Sequence, residues 1–182
     1  MTFWNKTFGI GLACGLLACV AATATALARP LDDLVEVGRG DMRWFGIDLY
    51  EARLLNGDGR YRPTADAGPL ALEITYRRNI SRERLVSTTE REWRRLATEL
   101  GLQDESRVAG WLEALAGFWP DVAPGDRILA LQEAEGPTRF YGNDGLLGVI
   151  EDPAFGPAFL GIWLHPETRA SELRAALIGA AQ

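Results

Sequence analysis

The chain has 182 residues, 47% of them apolar and 24% charged, a globular composition that excludes a disordered chain and suits one domain. Its 25 carboxylates outnumber 19 strong cations, for a formal charge of −6, so a general grip on nucleic acid is not expected. One histidine and two cysteines are too few for a zinc centre or a disulfide framework, and neither metal nor cofactor is expected.

Residues 1–28 read as an export leader. Lys6 supplies the positive start, Phe8 to Val20 is apolar, and Ala26-Leu27-Ala28 forms an A-x-A cleavage signal before Arg29. The uncharged stretch is also long enough to span a bilayer, and Leu16-Leu17-Ala18-Cys19 has the form of a lipobox. Simple cleavage ranks above both alternatives, giving a periplasmic or secreted domain at 29–182. Cys14 and Cys19 both lie in the leader, so the mature domain is expected to rely on its core alone.

Along that domain, Asp41 to Leu55 is apolar on both alternating faces and reads as one strand covered on both sides. Asn56-Gly57-Asp58-Gly59 breaks it, and Leu70, Leu72, Ile74 and Tyr76 mark a half-buried strand returning antiparallel. The period then changes to about 3.6. A helix is predicted over Ser87–Leu100, with Thr89-x-x-Glu92 as its capping box and Gly101 as its stop. A second helix follows from Asp104 or Ser106 to Pro120. Ile128–Gln132, Thr138–Tyr141 and Leu146–Ile150 read as a three-strand meander. Asp152-Pro153 opens a helix carrying Phe155, Phe159, Ile162 and Trp163, and Ser171–Ile178 forms a short last helix. The fold class is α+β, an antiparallel sheet packed against helices.

Chemistry is sparse. His165 stands alone before Pro166, Ser81, Ser87 and Ser106 lack a nucleophile elbow, and Gly38-Arg39-Gly40 is too short for a phosphate loop. No catalytic residue is assigned. The informative groups are arginines beside apolar strands: Arg39, Arg43, Arg77 and Arg78. Their bland reading is solvated strand ends whose stems cover apolar surface. Their sharper reading is a guanidinium at the mouth of an apolar cleft, holding an anionic head group. Each methylene of a tail buried behind it adds about 0.8 kcal/mol.

The order of motifs resembles the chalcone isomerase-like superfamily, in particular its exported bacterial branch. The resemblance runs from Gly38-Arg39-Gly40 into Arg43-Trp44-Phe45-Gly46-Ile47-Asp48-Leu49-Tyr50, then through Leu72 to Arg78 and Trp93. Pro120-Asp121-Val122, Pro124-Gly125-Asp126, Phe159 to Leu164 and Ser171-Glu172-Leu173-Arg174 complete it. It implies a chalcone isomerase-like layered fold around a cleft. The plant branch that cyclises chalcones uses an arginine, a strand threonine, a helix tyrosine and asparagine, and a late threonine. These positions fall at Arg39, Phe45, Trp93, near Leu100 and near Ile162, so four of the five are apolar here. Without those hydroxyl and amide groups the reaction loses its acid–base and electrostatic assistance, and flavanone formation is not expected.

The other branch binds fatty acids through an arginine and a tyrosine. The resemblance thus implies a non-catalytic protein binding a small amphipathic carboxylate, with Arg39 as anchor and Tyr50 or Tyr76 as the hydroxyl. Trp93, Trp44 and Phe45 would line the chamber, or simply fill the core. Two alternatives stand beside it. One is an isomerase or lyase using Arg39 with Tyr50 or Asp48; the other is an interaction module whose exposed aromatics meet an envelope protein partner.

Overall fold

The structure, a computed structural model, describes Met1, residues 33–63 and residues 68–179. The leader read at 1–28, with both cysteines, lies apart from Met1 outside the described residues. A six-stranded antiparallel sheet runs in simple sequence order: β1 (Val35–Trp44), β2 (Ile47–Asn56), β3 (Leu70–Tyr76), β4 (Arg127–Gln132), β5 (Thr138–Gly142) and β6 (Gly145–Ile150). Between β3 and β4 come α1 (Arg82–Arg95) and α2 (Glu105–Phe118); after β6 come α3 (Phe155–Leu164) and α4 (Ser171–Leu177).

The long strand expected over Asp41–Leu55 is two strands. Phe45 and Gly46 form a two-residue turn with φ of 48° and 76°, and Trp44 pairs with Ile47 across it. Two positive φ values match the right-handed twist of a hairpin, but no Asn-Gly or Asp-Gly stands there to announce it. Three strands therefore precede the helices, not two. The first helix also begins earlier than expected. Ser81 caps it by accepting from the Arg84 N–H, while Thr89 sits within the helix and donates to the Leu85 carbonyl. The meander, the Asp104 cap of α2 and the last helix stand where the periodicity places them, whereas α3 begins at Phe155 and not at Pro153, because Asp152 accepts the Ala154 N–H in a turn ahead of the helix and does not cap it.

Side chains alternate across the sheet, and the two faces differ sharply. The inner face carries Ala52, Leu54, Leu72, Ile74, Ile128, Ala130 and Phe140, all buried in the main core. Against it lies α3, with nine of its ten residues buried, as expected of a helix apolar all round. The outer face carries a chain of alternating charge: Arg39 and Arg53 on Glu36, then Arg53 and Arg127 on the buried Glu73. A smaller apolar strip of Leu55, Ala71, Leu129 and Leu131 lies beside it.

Gly38 and Gly40 have a packing role. A side chain at Gly38 would overlap the carbonyl of Ala176, and one at Gly40 would come within 2.8 Å of the Ala176 Cβ. The two glycines let α4 lie directly on β1.

Trp93 is 1% exposed, donates its indole N–H to the Ala158 carbonyl at 3.0 Å, and packs edge-on against Trp111 and Phe155. Trp93→Ala is expected to lower stability by about 3–5 kcal/mol in denaturant unfolding; an unchanged midpoint would show that this helix face is not core.

Candidate functional site

A cavity of about 800 Å³ opens between the inner face of the sheet and the helices. Leu72 and Ile74 of β3 with Ile128 and Ala130 of β4 form its floor; Trp119, Phe159 and Ile162 close it from the helical side. Met42, Trp44 and Leu49 wall the end next to the β1–β2 turn. A bulge explains why Leu49 and Tyr50, neighbours in sequence, both reach it: the register slips between Met42 and Arg43, so Met42 pairs with Tyr50 but Arg43 pairs with Asp48.

The exposed rim is basic. Arg78 follows β3, Arg84 and Arg91 project from α1, and Arg169 lies on the α3–α4 loop; Glu92 is the carboxylate among them. Arg84 and Arg91 are seven residues apart, hence on one face and about 10 Å apart along the axis, with Thr88 between them. Arg91 donates to the Thr88 hydroxyl at 2.8 Å, and Arg78 to the Asp48 carbonyl at 3.4 Å. Glu92 accepts from Arg95 and Arg169. Most described arginines are paired with a carboxylate. Of the few that are not, Arg78, Arg84 and Arg91 meet at this rim, in a chain that is acidic overall.

Two phenols stand inside. Tyr50 accepts the Trp163 indole N–H at 2.8 Å, a strut between β2 and α3 that leaves its own proton available. Burial raises its pKa to about 12, partly offset by that hydrogen bond. Tyr76 packs edge-on against Tyr50 with ring centroids 6.2 Å apart, and its hydroxyl makes no hydrogen bond among the described residues. Burial pushes its pKa up further. Both phenols stay neutral donors at any physiological pH.

Tyr50 and Tyr76 are thus brought together at the cavity. Arg39, Phe45 and Trp93 are not. Arg39 lies on the outer face, tied to Glu36 at 2.7 Å, because the alternation that turns Gly38, Gly40 and Met42 inward turns Arg39 outward. Phe45 is 90% exposed at the turn, and Trp93 belongs to the aromatic core. Asp48 is held by Arg43 at 2.6 Å outside the cavity, so an Arg39, Asp48 and Tyr50 site is not assembled. Sequence reasoning missed Arg84, Arg91 and Trp119. The signal for the arginines was Ser81-x-x-Arg84-x-x-x-Thr88-x-x-Arg91, legible only once the helix is started at Ser81.

The family model for chalcone isomerase-like proteins matches residues 44–179. The chain belongs to the chalcone isomerase-like family. An uncharacterized protein of Haemophilus influenzae is 26% identical to it over 152 residues, covering 84% of this chain and 71% of that one. The crystal structure of an Arabidopsis thaliana fatty-acid binding protein superposes with a TM-score of 0.63 at 9% identity, covering 82% of this chain and 88% of the other. At that identity the likeness establishes the layered fold. Of the apolar positions where the plant isomerases are polar, Ile162 lines the cavity, whereas Leu100 packs on Gly161 and Trp93 and Phe45 lie elsewhere.

Tyr50 ionises later in the fold than the ordinary phenol value of 10.0. Its contribution is complete below that pH and is lost as pH climbs toward 12. Ultraviolet titration is expected to show at least two late phenols that ionise together with alkaline unfolding, one disappearing in each of Tyr50→Phe and Tyr76→Phe. Normal titration of all four tyrosines would contradict their burial.

Proposed function

We propose that the cavity binds a small amphipathic carboxylate such as a fatty acid, with its head at the arginine rim and its tail inside, and does not transform it. The observation carrying this reading is an apolar chamber beneath three arginines that have no carboxylate of their own. A volume near 800 Å³ is within the roughly 300–1,000 Å³ of small-molecule sites. Sealed and dry, a void of that size would cost on the order of 20 kcal/mol at about 24 cal/mol per Å³. That exceeds the roughly 5–15 kcal/mol by which a domain is stable, so the space holds either solvent or a ligand.

The placement of the head follows from charge. A lone carboxylate taken inside loses several kcal/mol of solvation, which two phenol donors do not restore. At the rim it stays partly hydrated and meets guanidinium groups. The available phenol protons favour a second reading, a neutral carboxyl group held deep between Tyr50 and Tyr76. Glu92, the carboxylate of the rim, is engaged by Arg95 and Arg169 and leaves Arg78, Arg84 and Arg91 to a ligand. The fatty-acid binding named for the plant neighbour agrees with this reading.

Calorimetry with a long-chain carboxylate and the matching alcohol is the test. The double variant Arg84→Ala/Arg91→Ala is expected to bind the carboxylate about tenfold more weakly, near 1.4 kcal/mol, and to lose the preference over the alcohol. Arg39→Ala should bind as the parent does. Equal binding by the double variant, with a loss in Tyr50→Phe/Tyr76→Phe, would move the head to the phenols. Absence of binding by the parent chain would overturn the proposal.

A further inference from the structure

The β1–β2 turn carries Trp44, Phe45 and Ile47 in solvent, at 52%, 90% and 47% exposure. Trp44 and Phe45 pack edge-on, with ring centroids 5.1 Å apart, so they present one aromatic knob. Phe45 is also the wrong residue for its backbone. Its φ of 48° lies in the left-handed region, which asparagine or glycine occupies readily and a bulky residue rarely does. A strained, fully exposed phenylalanine at a hairpin tip serves something outside the chain.

What it serves is indicated by its surroundings. Trp44 is both part of the knob and part of the cavity wall, so any surface that takes the knob also takes the cavity mouth. Arg78, whose guanidinium reaches the Asp48 carbonyl, adjoins the turn, and Arg84 and Arg91 continue the positive rim. The nearest acids, Asp41 and Asp48, are matched by Arg43 and Arg77. Aromatic side chains beside unmatched cations suit the interface of an anionic bilayer. No helix among the described residues is long and apolar enough to cross a membrane.

We propose that the β1–β2 turn inserts its aromatic tip into the surface of an anionic lipid bilayer, setting the cavity mouth against the membrane. Its purpose as a loading contact rests on the amphipathic-ligand reading: at about 0.8 kcal/mol per methylene, a long-chain carboxylate resides in lipid rather than in water. The docking itself rests on the geometry of the tip.

The test is partitioning of the full chain onto phosphatidylcholine vesicles with and without phosphatidylglycerol, alongside calorimetry with octanoate in the absence of vesicles. Phe45→Asn is expected to melt no lower than the parent, since asparagine tolerates the turn, and to bind octanoate equally. Together with Trp44→Ser it should partition at least tenfold less, about 1.4 kcal/mol. Brominated lipid should quench a fluorescence component that is missing in Trp44→Phe, which places the tip itself in the bilayer whatever else in the chain meets lipid. Unchanged partitioning, or no quenching of Trp44, would overturn the docking. So would loss in the variant of a protein partner bound without lipid. Lost octanoate binding with intact partitioning would instead defeat the ligand reading and leave the docking standing.

Discussion

The structure depends on one constraint: a sheet with its helices packed against a single face. Alternation along each strand then sorts neighbouring residues into different environments, and function follows the sorting. Arg39 and Tyr50 lie on strands that pair with each other, yet one joins the outer chain of charge and the other enters the cavity. On the cavity floor Ala130, small beside Leu72 and Ile128, leaves room above the sheet. Meanwhile α3 is pinned by the Trp163–Tyr50 strut and by Phe140 of β5, which meets the stacked rings of Phe155 and Phe159 edge-on. Tyr50, Trp163 and Phe159 thus both anchor the helix and line the space beside it.

Charge pairing gives that space its character. On the outer face every arginine of the chain around Glu36 and Glu73 has an acid within reach. At the rim Arg78, Arg84 and Arg91 have only neutral oxygens or none. Arginine left without a carboxylate in an acidic protein is poised for an anion from outside. A buried ligand without charge would leave that rim unexplained.

The fold was largely legible in the sequence because its signals are local: period two in β3, apolar runs between turn residues in β4 to β6, period 3.6 in α2, and the cap at Asp104. The family was legible too, through the order of weak motifs. Two local departures hid the site. Phe45-Gly46 makes a tight turn with an atypical residue, so β1 and β2 merge into one apolar run. Arg82 to Val86 lacks the apolar spacing of the later α1, so the helix start, and with it Arg84, went unread. The misplaced anchor had a different cause. Arg39 is the natural choice by motif, but it alternates with Gly38 and Gly40, which face inward to admit α4, and so it points outward.

The most direct test of the head-out, tail-in arrangement is a crystal structure with a long-chain carboxylate brominated at its last carbon, located by anomalous scattering. The account predicts bromine in the interior, near Ala130, Phe159 and Ile162, with the carboxylate among Arg84, Arg91 and Thr88. Bromine at the rim with the head group against Tyr50 and Tyr76, or on the outer face beside Arg39, would contradict it.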